Sequence, residues 1–384
     1  MRRAILLLSL LLAVSLQATS GASLQRERFI NIEGADLRSK METALRQGRA
    51  ARPRAPFWVA YQFDVRPGVA VDMEWTNFRG SRTSFSDDVS VSIGKSSGVQ
   101  VETRNLGVFL LYEPGGNTPS RVQVYNLERR REYSGYPVYW LGRAGNQESL
   151  ALLQGLAESN QASRVAENAT LAIGLHDDPR AAMILKDLIR GSQVAKARHA
   201  AIFWLGQIGG ETPFLTSLAQ NEQESTEARK QAVFAIGVSK DSAALSAVQS
   251  IYSSTSNSEV KKQAIFAASI NENEDEAINF LIQVAQNDPS REMKKQAIFW
   301  LGQKAGKRAL EVLGDTVNSN DADTEVQKQA VFALSQRKRD EAVPALINIA
   351  KTHPKGEVRK QAIFWLGQID DERALEFFKE ILSK

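Results

Sequence analysis

The chain contains no cysteine and only three histidines. The first absence removes disulfides, thiolate metal sites, a thiol nucleophile and a lipid-bearing cysteine behind an export signal. The second leaves too few ligands for the usual zinc spacings, and His176, His199 and His353 fall at turn or helix-start positions where none stands ready as a general base. No glycine-rich loop suited to a phosphate is present. Long apolar runs are missing as well. The one early apolar stretch, Ala4 to Leu16, is short of the about 20 residues that a membrane span needs. With Arg2 and Arg3 before it and Ala18-Thr19-Ser20 or Ser20-Gly21-Ala22 after it, the stretch reads as a cleavable export signal over residues 1–22. A periplasmic or secreted protein without stable membrane insertion is the expectation.

Charge of one sign is scarce in most of the chain. Residues 1–136 hold 19 Lys and Arg against 13 Asp and Glu, whereas residues 137–384 hold 29 against 31. Two of the positive charges belong to the signal, so nucleic-acid binding by bulk charge is not expected. Catalytic motifs are equally thin. Gly94-Lys95-Ser96-Ser97-Gly98 has the spacing of a nucleophile elbow, but strand-like Val99-Gln100-Val101 follows it where a helix is required, so it reads as a hairpin tip. Ser-x-x-Lys occurs at Ser92-Lys95, Ser258-Lys261 and Ser335-Lys338, two of them inside repeat units. Asn271, Asn273 and Asp275 have calcium-loop spacing without its glycine and terminal glutamate. No catalytic residue, cofactor or metal site is expected.

What the chain does have is one segment written many times: AAIFWLGQ at Ala200, QAVFAIGV at Gln231, QAIFAASI at Gln263, QAIFWLGQ at Gln296, QAVFALSQ at Gln329 and QAIFWLGQ at Gln361. The shared alanines, Ala201, Ala232, Ala264, Ala297, Ala330 and Ala362, are spaced by 31, 32, 33, 33 and 32 residues. Stepping back reaches Ala169 in NATLAIGL and then Pro137 in YPVYWLGR, a degenerate first copy, for about eight units in all. Within a unit, Val358, Ala362, Trp365 and Leu366 share one helical stripe. Glu227, Glu259, Glu292, Glu325 and Glu357 suit helix N-termini, with Thr226, Ser258 and Thr324 before three of them as expected caps. Gly142, Gly174, Gly206, Gly237, Gly302 and Gly367 are expected to end the helix in a left-handed cap, with Ser269 and Ser335 as exceptions. A polar turn and a second apolar segment follow, so each unit is a helical hairpin that must stack on its neighbours to bury its stripe.

This pattern, as in Val358-Arg359-Lys360-Gln361-Ala362-Ile363-Phe364-Trp365-Leu366-Gly367, resembles the short HEAT repeat over about residues 137–384. The resemblance implies an α-solenoid of about eight HEAT-like hairpins. Most such arrays are binding scaffolds, and a subset is similar to lyases that attach bilin pigments to phycobilisomes. No independent sequence feature supports a pigment-handling role.

Two rows flank the core stripe. Phe203, Phe234, Phe266, Phe299, Phe332 and Phe364 sit well away from its centre, either packed on neighbouring units or forming an aromatic ridge that grips a partner. His199, Lys230, Lys262, Lys295, Lys328 and Lys360 form a basic ladder beside them, either a solvated face with Glu pairs such as Glu357 with Lys360 or a site for an acidic ligand. A second basic set, Arg198, Arg229, Lys261, Lys294 and Arg359, is expected to bridge to acidic loops between repeats, with Gln327 breaking the series.

Before the array, Asp36 to Arg46 predicts a short helix followed by a linker, together residues 23–55. Residues 56–135 predict a small β-rich domain, with strands near Phe57–Val65, Val69–Thr76, Val89–Ile93, Val99–Glu102, Leu106–Tyr112 and Arg121–Leu127. The solenoid is expected over 136–384. The leading expectation is an exported bacterial scaffold or adaptor that binds a protein partner. The alternatives are a lyase-like enzyme or small-molecule binder, and a structural component of the cell envelope.

Overall fold

The structure is a computed structural model that describes residues 29–71, 81–86, 89–93, 104–129, 131–159, 163–304, 306–319 and 323–383. The expected signal, the Gly94–Gly98 motif and the strand expected at 99–102 lie outside these residues. The chain divides into two compact units, Met1–Ile208 and Gly209–Lys384.

The first unit begins with strand β1 (Ile30–Asn31) and helix α1 (Leu37–Ala51), followed by β2 (Phe57–Gln62), β3 (Val69–Val71), β4 (Ser81–Ser86), β5 (Val89–Ile93), β6 (Leu106–Tyr112), β7 (Arg121–Asn126) and β8 (Val138–Arg143). Five of these form a mixed sheet in the order β1-β8-β2-β6-β7, and β3, β5 and β4 form a separate antiparallel sheet. The central strand β2 is antiparallel to β6 and parallel to β8, and every residue in it is buried. Its alternation divides two apolar faces rather than a wet and a dry one. Trp58 lies among the rings of Phe109 and Tyr125 on one side. Phe57 packs against Tyr112 and Tyr139 on the other, where α1 crosses the sheet.

Helix α1 is longer than expected and is not followed by a free linker. Asp36 caps it reciprocally with Ser39. Gly48 allows it to lie against the Phe57 ring, since an added Cβ would sit 2.4 Å from that ring. Arg49, read as part of the linker, instead donates to Gly116 O and Asn117 Oδ1. The stretch from Asp36 to Ala51 is therefore part of the β domain.

The degenerate copy at Pro137 also folds differently from its sequence kin. Its Val-Tyr-Trp-Leu segment is β8, paired between β1 and β2, and Gly142 takes a positive φ of 76° at the strand's end. Tyr, Trp and Val favour the pleated surface, and Pro137 precedes them without a donor. The sheet therefore extends to Arg143, past the boundary expected at 135. Only the second helix of this copy survives, as α2 (Asn146–Glu158).

Helices α3 (Ser163–Leu175), α4 (Arg180–Gly191) and α5 (Ala195–Ile208) complete the first unit. The second holds α6 (Thr212–Gln220), α7 (Thr226–Gly237), α8 (Ala244–Ser254), α9 (Ser258–Ser269), α10 (Glu274–Asn287), α11 (Arg291–Gln303), α12 (Lys307–Asn318), α13 (Thr324–Ser335), α14 (Arg339–Thr352), α15 (Gly356–Leu366) and α16 (Glu372–Leu382). The alanine of each repeat lies in α3, α5, α7, α9, α11, α13 or α15, hereafter the first helices, and the helix that follows is the second helix of that hairpin. The β-rich domain is thus followed by an α-solenoid of repeated hairpins.

Repeat grammar meets the structure closely, with three corrections. The N-caps stand one residue earlier than expected: Ser225, Asn257, Ser290 and Asp323 accept from backbone N–H groups of the first turn. Thr226, Ser258 and Thr324 are the first helical residues, and the glutamates follow in the first turn as the dipole favours. Second, Gly174, Gly237, Gly302 and Gly367 do not adopt the left-handed conformation. Three of them mark close helix crossings instead. A Cβ on Gly237 would stand 2.7 Å from Ala267 Cβ, one on Gly302 2.8 Å from Ala333 Cβ, and one on Gly174 2.7 Å from the Trp204 ring.

Third, the second basic set reaches backbone carbonyls. Arg198 Nε donates to Ile189 O at 2.6 Å, Arg229 Nε to Ala219 O at 2.8 Å, Lys294 Nζ to Gln286 O at 3.0 Å and Arg359 to His353 O at 2.7 Å. Lys261 is the exception, lying over the Tyr252 ring. Gln327, which seemed to break the series, continues it by donating to Val317 O and Ser319 O. These are the orphan carbonyls at or just past the C-terminus of the preceding second helix, where a cation also meets the negative end of the dipole. The row ties each hairpin to the one before it.

Candidate interaction face of the first helices

In the second unit, the Phe position lies four residues after the Lys position on each first helix, so the two project from one face. Phe234, Phe266, Phe299 and Phe332 are half-buried and Phe364 is 54% exposed. Their rings form a continuous ladder. Phe234 stacks on Phe266 with centroids 6.1 Å apart, and Phe299 on Phe332 at 6.3 Å. Between these pairs Trp300 lies 5.0 Å from both Phe266 and Phe299, and Trp365 lies 5.0 Å from both Phe332 and Phe364. The sequence suggested that each Phe packs on a neighbour or forms a ridge. The geometry does both: Phe234, Phe266, Phe299 and Phe332 each touch an aromatic ring of the next repeat and still are only half-buried. Trp365, which helical spacing assigned to the core stripe, and its counterpart Trp300 are half-buried members of the same row. In the first unit Phe203 is half-buried beside the fully buried Trp204, with ring centroids 5.4 Å apart.

The Lys ladder runs parallel to the rings and is interleaved with carboxylates. Lys230 pairs with Glu227 at 3.2 Å, Lys328 with Glu325 at 2.9 Å, and Lys262 with both Glu259 at 3.1 Å and Glu292 of the next repeat at 3.6 Å. The hydrogen bond from Lys328 holds the Glu325 carboxyl below its ordinary range, with Lys295 adding to the effect. Hydrogen bonds to glutamate raise Lys262 and Lys328 in turn. Five lysines alternate with five glutamates along α7 to α15, so the row is balanced rather than basic. It offers directional polar contacts beside an aromatic strip, and little net field for an acidic ligand.

The three histidines do not converge. His353 is buried with Nε2 2.9 Å from Val317 O, and Lys355 N donates to its Nδ1. His199 is half-buried on α5. His176 is buried in the first unit beneath the stacked ring of Phe63, with centroids 4.3 Å apart. Ser149 Oγ lies 2.8 Å from His176 Nε2 and 3.1 Å from Tyr61 Oη, and His176 Nδ1 lies 2.7 Å from Ala172 O. The carbonyl can only accept, so Nδ1 carries the proton and Nε2 accepts from Ser149. Burial drives the His176 pKa down to about 4 and raises that of Tyr61. A serine beside a histidine suggests nucleophilic chemistry, but Tyr61 and Ser149 have no exposed surface and His176 almost none. The cluster welds β2, α2 and the end of α3 together, and no sequence motif announces it.

A polar groove of about 550 Å³ lies where α10 turns into α11 and α12 approaches α13. The Arg291–Asp323 ion pair, 2.6 Å, and the Lys294 bond to Gln286 O engage cations that line it. Asn271 and Asn273, the loose calcium-loop match, accept from backbone N–H groups at the start of α10. Among the described residues, no group of three or more His, Asp or Glu is placed to hold a metal ion, and no helix is long and apolar enough to cross a membrane.

Residues 212–302 and 317–384 match the family of HEAT repeats. No curated protein matches the chain. Among solved structures, the chain is similar to human deoxyhypusine hydroxylase, with 17% identity over 61% of this chain and 90% of that one and a TM-score of 0.31. The complex of CpcE and CpcF of phycocyanin lyase from Nostoc sp. gives 17% identity over 52% and 80%, with a TM-score of 0.26. Lipovitellin gives 14% over 74% of this chain and 33% of that one, with a TM-score of 0.43.

Proposed function

We propose that the protein is an exported, non-catalytic scaffold whose HEAT repeats bind another protein along the face of the first helices. The observation that carries this reading is the aromatic ladder from Phe234 to Phe364, whose rings touch from repeat to repeat yet stay half-buried or, at Phe364, exposed, flanked by a charge-balanced Glu and Lys row. Rings held by their neighbours lose little freedom on binding, and aromatic rows bordered by polar residues are what protein interfaces use as anchors. Trp365 adds a buried indole N–H without a hydrogen-bond partner. Export rests on the Arg2-Arg3 start and the apolar run that follows it.

A photo-crosslinking amino acid at Phe364, compared with one at Ser246 on the second helix α8, tests the reading in living cells. A discrete adduct from position 364 and none from 246, in the fraction outside the cytoplasm, is the expected result. Equal labelling from both positions, no adduct from 364, or a chain retained in the cytoplasm would overturn it.

A further inference from the structure

The helix and turn that lead into β2 concentrate cations without acidic partners. Residues 43–63 hold four arginines and no carboxylate. Arg46 and Arg49 lie in the last two turns of α1, and Arg52 and Arg54 follow in the turn before β2. Arg46, Arg52 and Arg54 are exposed, and among the described residues no carboxylate pairs with any of the three. Arg49 is half-buried and donates to Gly116 O at 2.9 Å and Asn117 Oδ1 at 3.0 Å, again without a carboxylate. One cation in the last turn answers the negative end of the helix dipole, and Arg49 fills that role. The other three are surplus to it. On the first helices, by contrast, Lys230, Lys262 and Lys328 meet glutamates at 3.2, 3.1 and 2.9 Å. The arginines are also held on a rigid body. Pro53 and Pro56 restrict the turn, Arg52 N donates to Gly48 O at 2.9 Å, and the Leu37, Met41, Ala44 and Gly48 face of α1 is buried. Arg121, exposed as well, starts β7 at the same end of the sheet, since it pairs with Leu111 and the adjacent Tyr112 pairs with Phe57. Glu113 is the one carboxylate in the turn from β6 to β7, and it accepts from Ser120 Oγ.

We propose that this arginine-rich end of the β domain adsorbs on a membrane surface that carries anionic phospholipid headgroups. Charge complementarity selects the class of partner: guanidinium forks match phosphate oxygens and keep their charge at every physiological pH. Shape selects the bilayer. The charges project from a helix end and a turn, a convex feature that sets several cations at once against a flat array of phosphates, whereas an extended chain is gripped by a groove or a free strand edge. The exposed residues among the arginines are Gln47, Ala50, Ala51 and Pro53, so no bulky apolar side chain is there to insert, and the contact is electrostatic and reversible. The site belongs to the first unit alone. It therefore stands or falls separately from the protein-binding face of the repeats.

Co-flotation of the full chain with vesicles tests the proposal. Phosphatidylcholine vesicles with about 30% phosphatidylglycerol are compared with phosphatidylcholine alone at about 50 mM salt. The Arg2-Arg3 start and the apolar run behind it are common to every variant, so the comparison between variants isolates the β domain. Each exposed arginine near such a surface strengthens binding about fivefold. Arg46→Gln/Arg52→Gln/Arg54→Gln should therefore lower partition onto the anionic vesicles about a hundredfold, and Arg46→Lys/Arg52→Lys/Arg54→Lys should keep it within about threefold. Helix content should be unchanged in both, because these side chains are exposed and unpaired. An unaltered chain that stays off the anionic vesicles overturns the proposal, as does equal binding to the neutral ones or indifference to the glutamine changes. Tighter binding of a short DNA duplex or an acidic peptide than of the vesicles, in competition at the same salt, overturns it too.

Discussion

Two glycines in one hairpin should respond in opposite directions to the same added methyl group. Gly302 in α11 and Gly314 in α12 both lie in helices with ordinary negative φ. A Cβ on Gly314 would meet nothing within 4 Å, so Gly314→Ala should stabilise by about 0.5–1 kcal/mol through the lower entropy of the unfolded chain. A Cβ on Gly302 would stand 2.8 Å from Ala333 Cβ, 3.0 Å from its Cα and 3.1 Å from its O. Two of these are backbone atoms of α13, so relief requires the helices to move apart, and overpacking of this kind costs about 1–3 kcal/mol. At the last turn of α11 the propensity gain is at most about 1 kcal/mol, so Gly302→Ala should be neutral to destabilising by about 2 kcal/mol. The difference between the two variants isolates the crossing. It should be read from chemical denaturation followed by far-ultraviolet circular dichroism. If Gly302→Ala stabilises as much as Gly314→Ala, the first helices are not held at contact distance and the account of these glycines is wrong.

Other variants test other links. Arg229→Met removes the donors to Ala219 O and Thr255 Oγ1 from a buried site. A loss of about 2–3 kcal/mol in denaturation free energy is expected, and a loss under about 0.5 would deny this row its tying role. His176 is neutral in the folded chain down to about pH 4, whereas the unfolded chain takes up its proton near 6.5. Stability is therefore fully present above pH 6.5 and falls between about 6.5 and 4, by about 3 kcal/mol in all, then levels off with respect to this group. His176→Gln should flatten that interval, and an unchanged slope would show that other groups set it. Lys328→Ala breaks an exposed pair with Glu325 and should leave the denaturation midpoint almost unchanged, with any small effect vanishing in high salt.

The sequence announced the α-solenoid because its signal is repeated: a stripe at Val358, Ala362 and Leu366 can be checked against five other copies. Single features lacked that redundancy. Val138 to Leu141 carry the repeat's letters, yet strand partners on both sides outweighed the resemblance, a tertiary fact that no local window contains. The glycines were legible as special but not as contacts, since a turn and a close crossing make the same demand for a missing Cβ. The pairing of the Lys row with glutamates three residues earlier was legible, whereas Glu292, which joins Glu259 on Lys262, lies 30 residues away in the next repeat. At the candidate face, Phe spacing was visible in the sequence, while the bridging role of Trp300 and Trp365 depends on ring orientation across repeats. The Tyr61, Ser149 and His176 cluster joins residues that no spacing connects.

The join between sheet and solenoid makes a final prediction. An edge strand exposes a row of unpaired backbone groups, and repeat proteins need their ends covered. In this chain one contact serves both needs: Asn168 lies on the first helix of the first full hairpin and satisfies Val122 O on β7. Asn168→Leu keeps the side chain's branching and approximate volume but removes the donor. The carbonyl is then buried without a partner, a cost of about 1–3 kcal/mol. Because the loss falls at a seam, it should appear as local opening before global unfolding. Hydrogen exchange should quicken in β7 and α3 while β2, buried on both faces, keeps its protection. Uniform quickening across the sheet would place the weak point elsewhere, and unchanged exchange in β7 would mean that packing alone seals this end of the array.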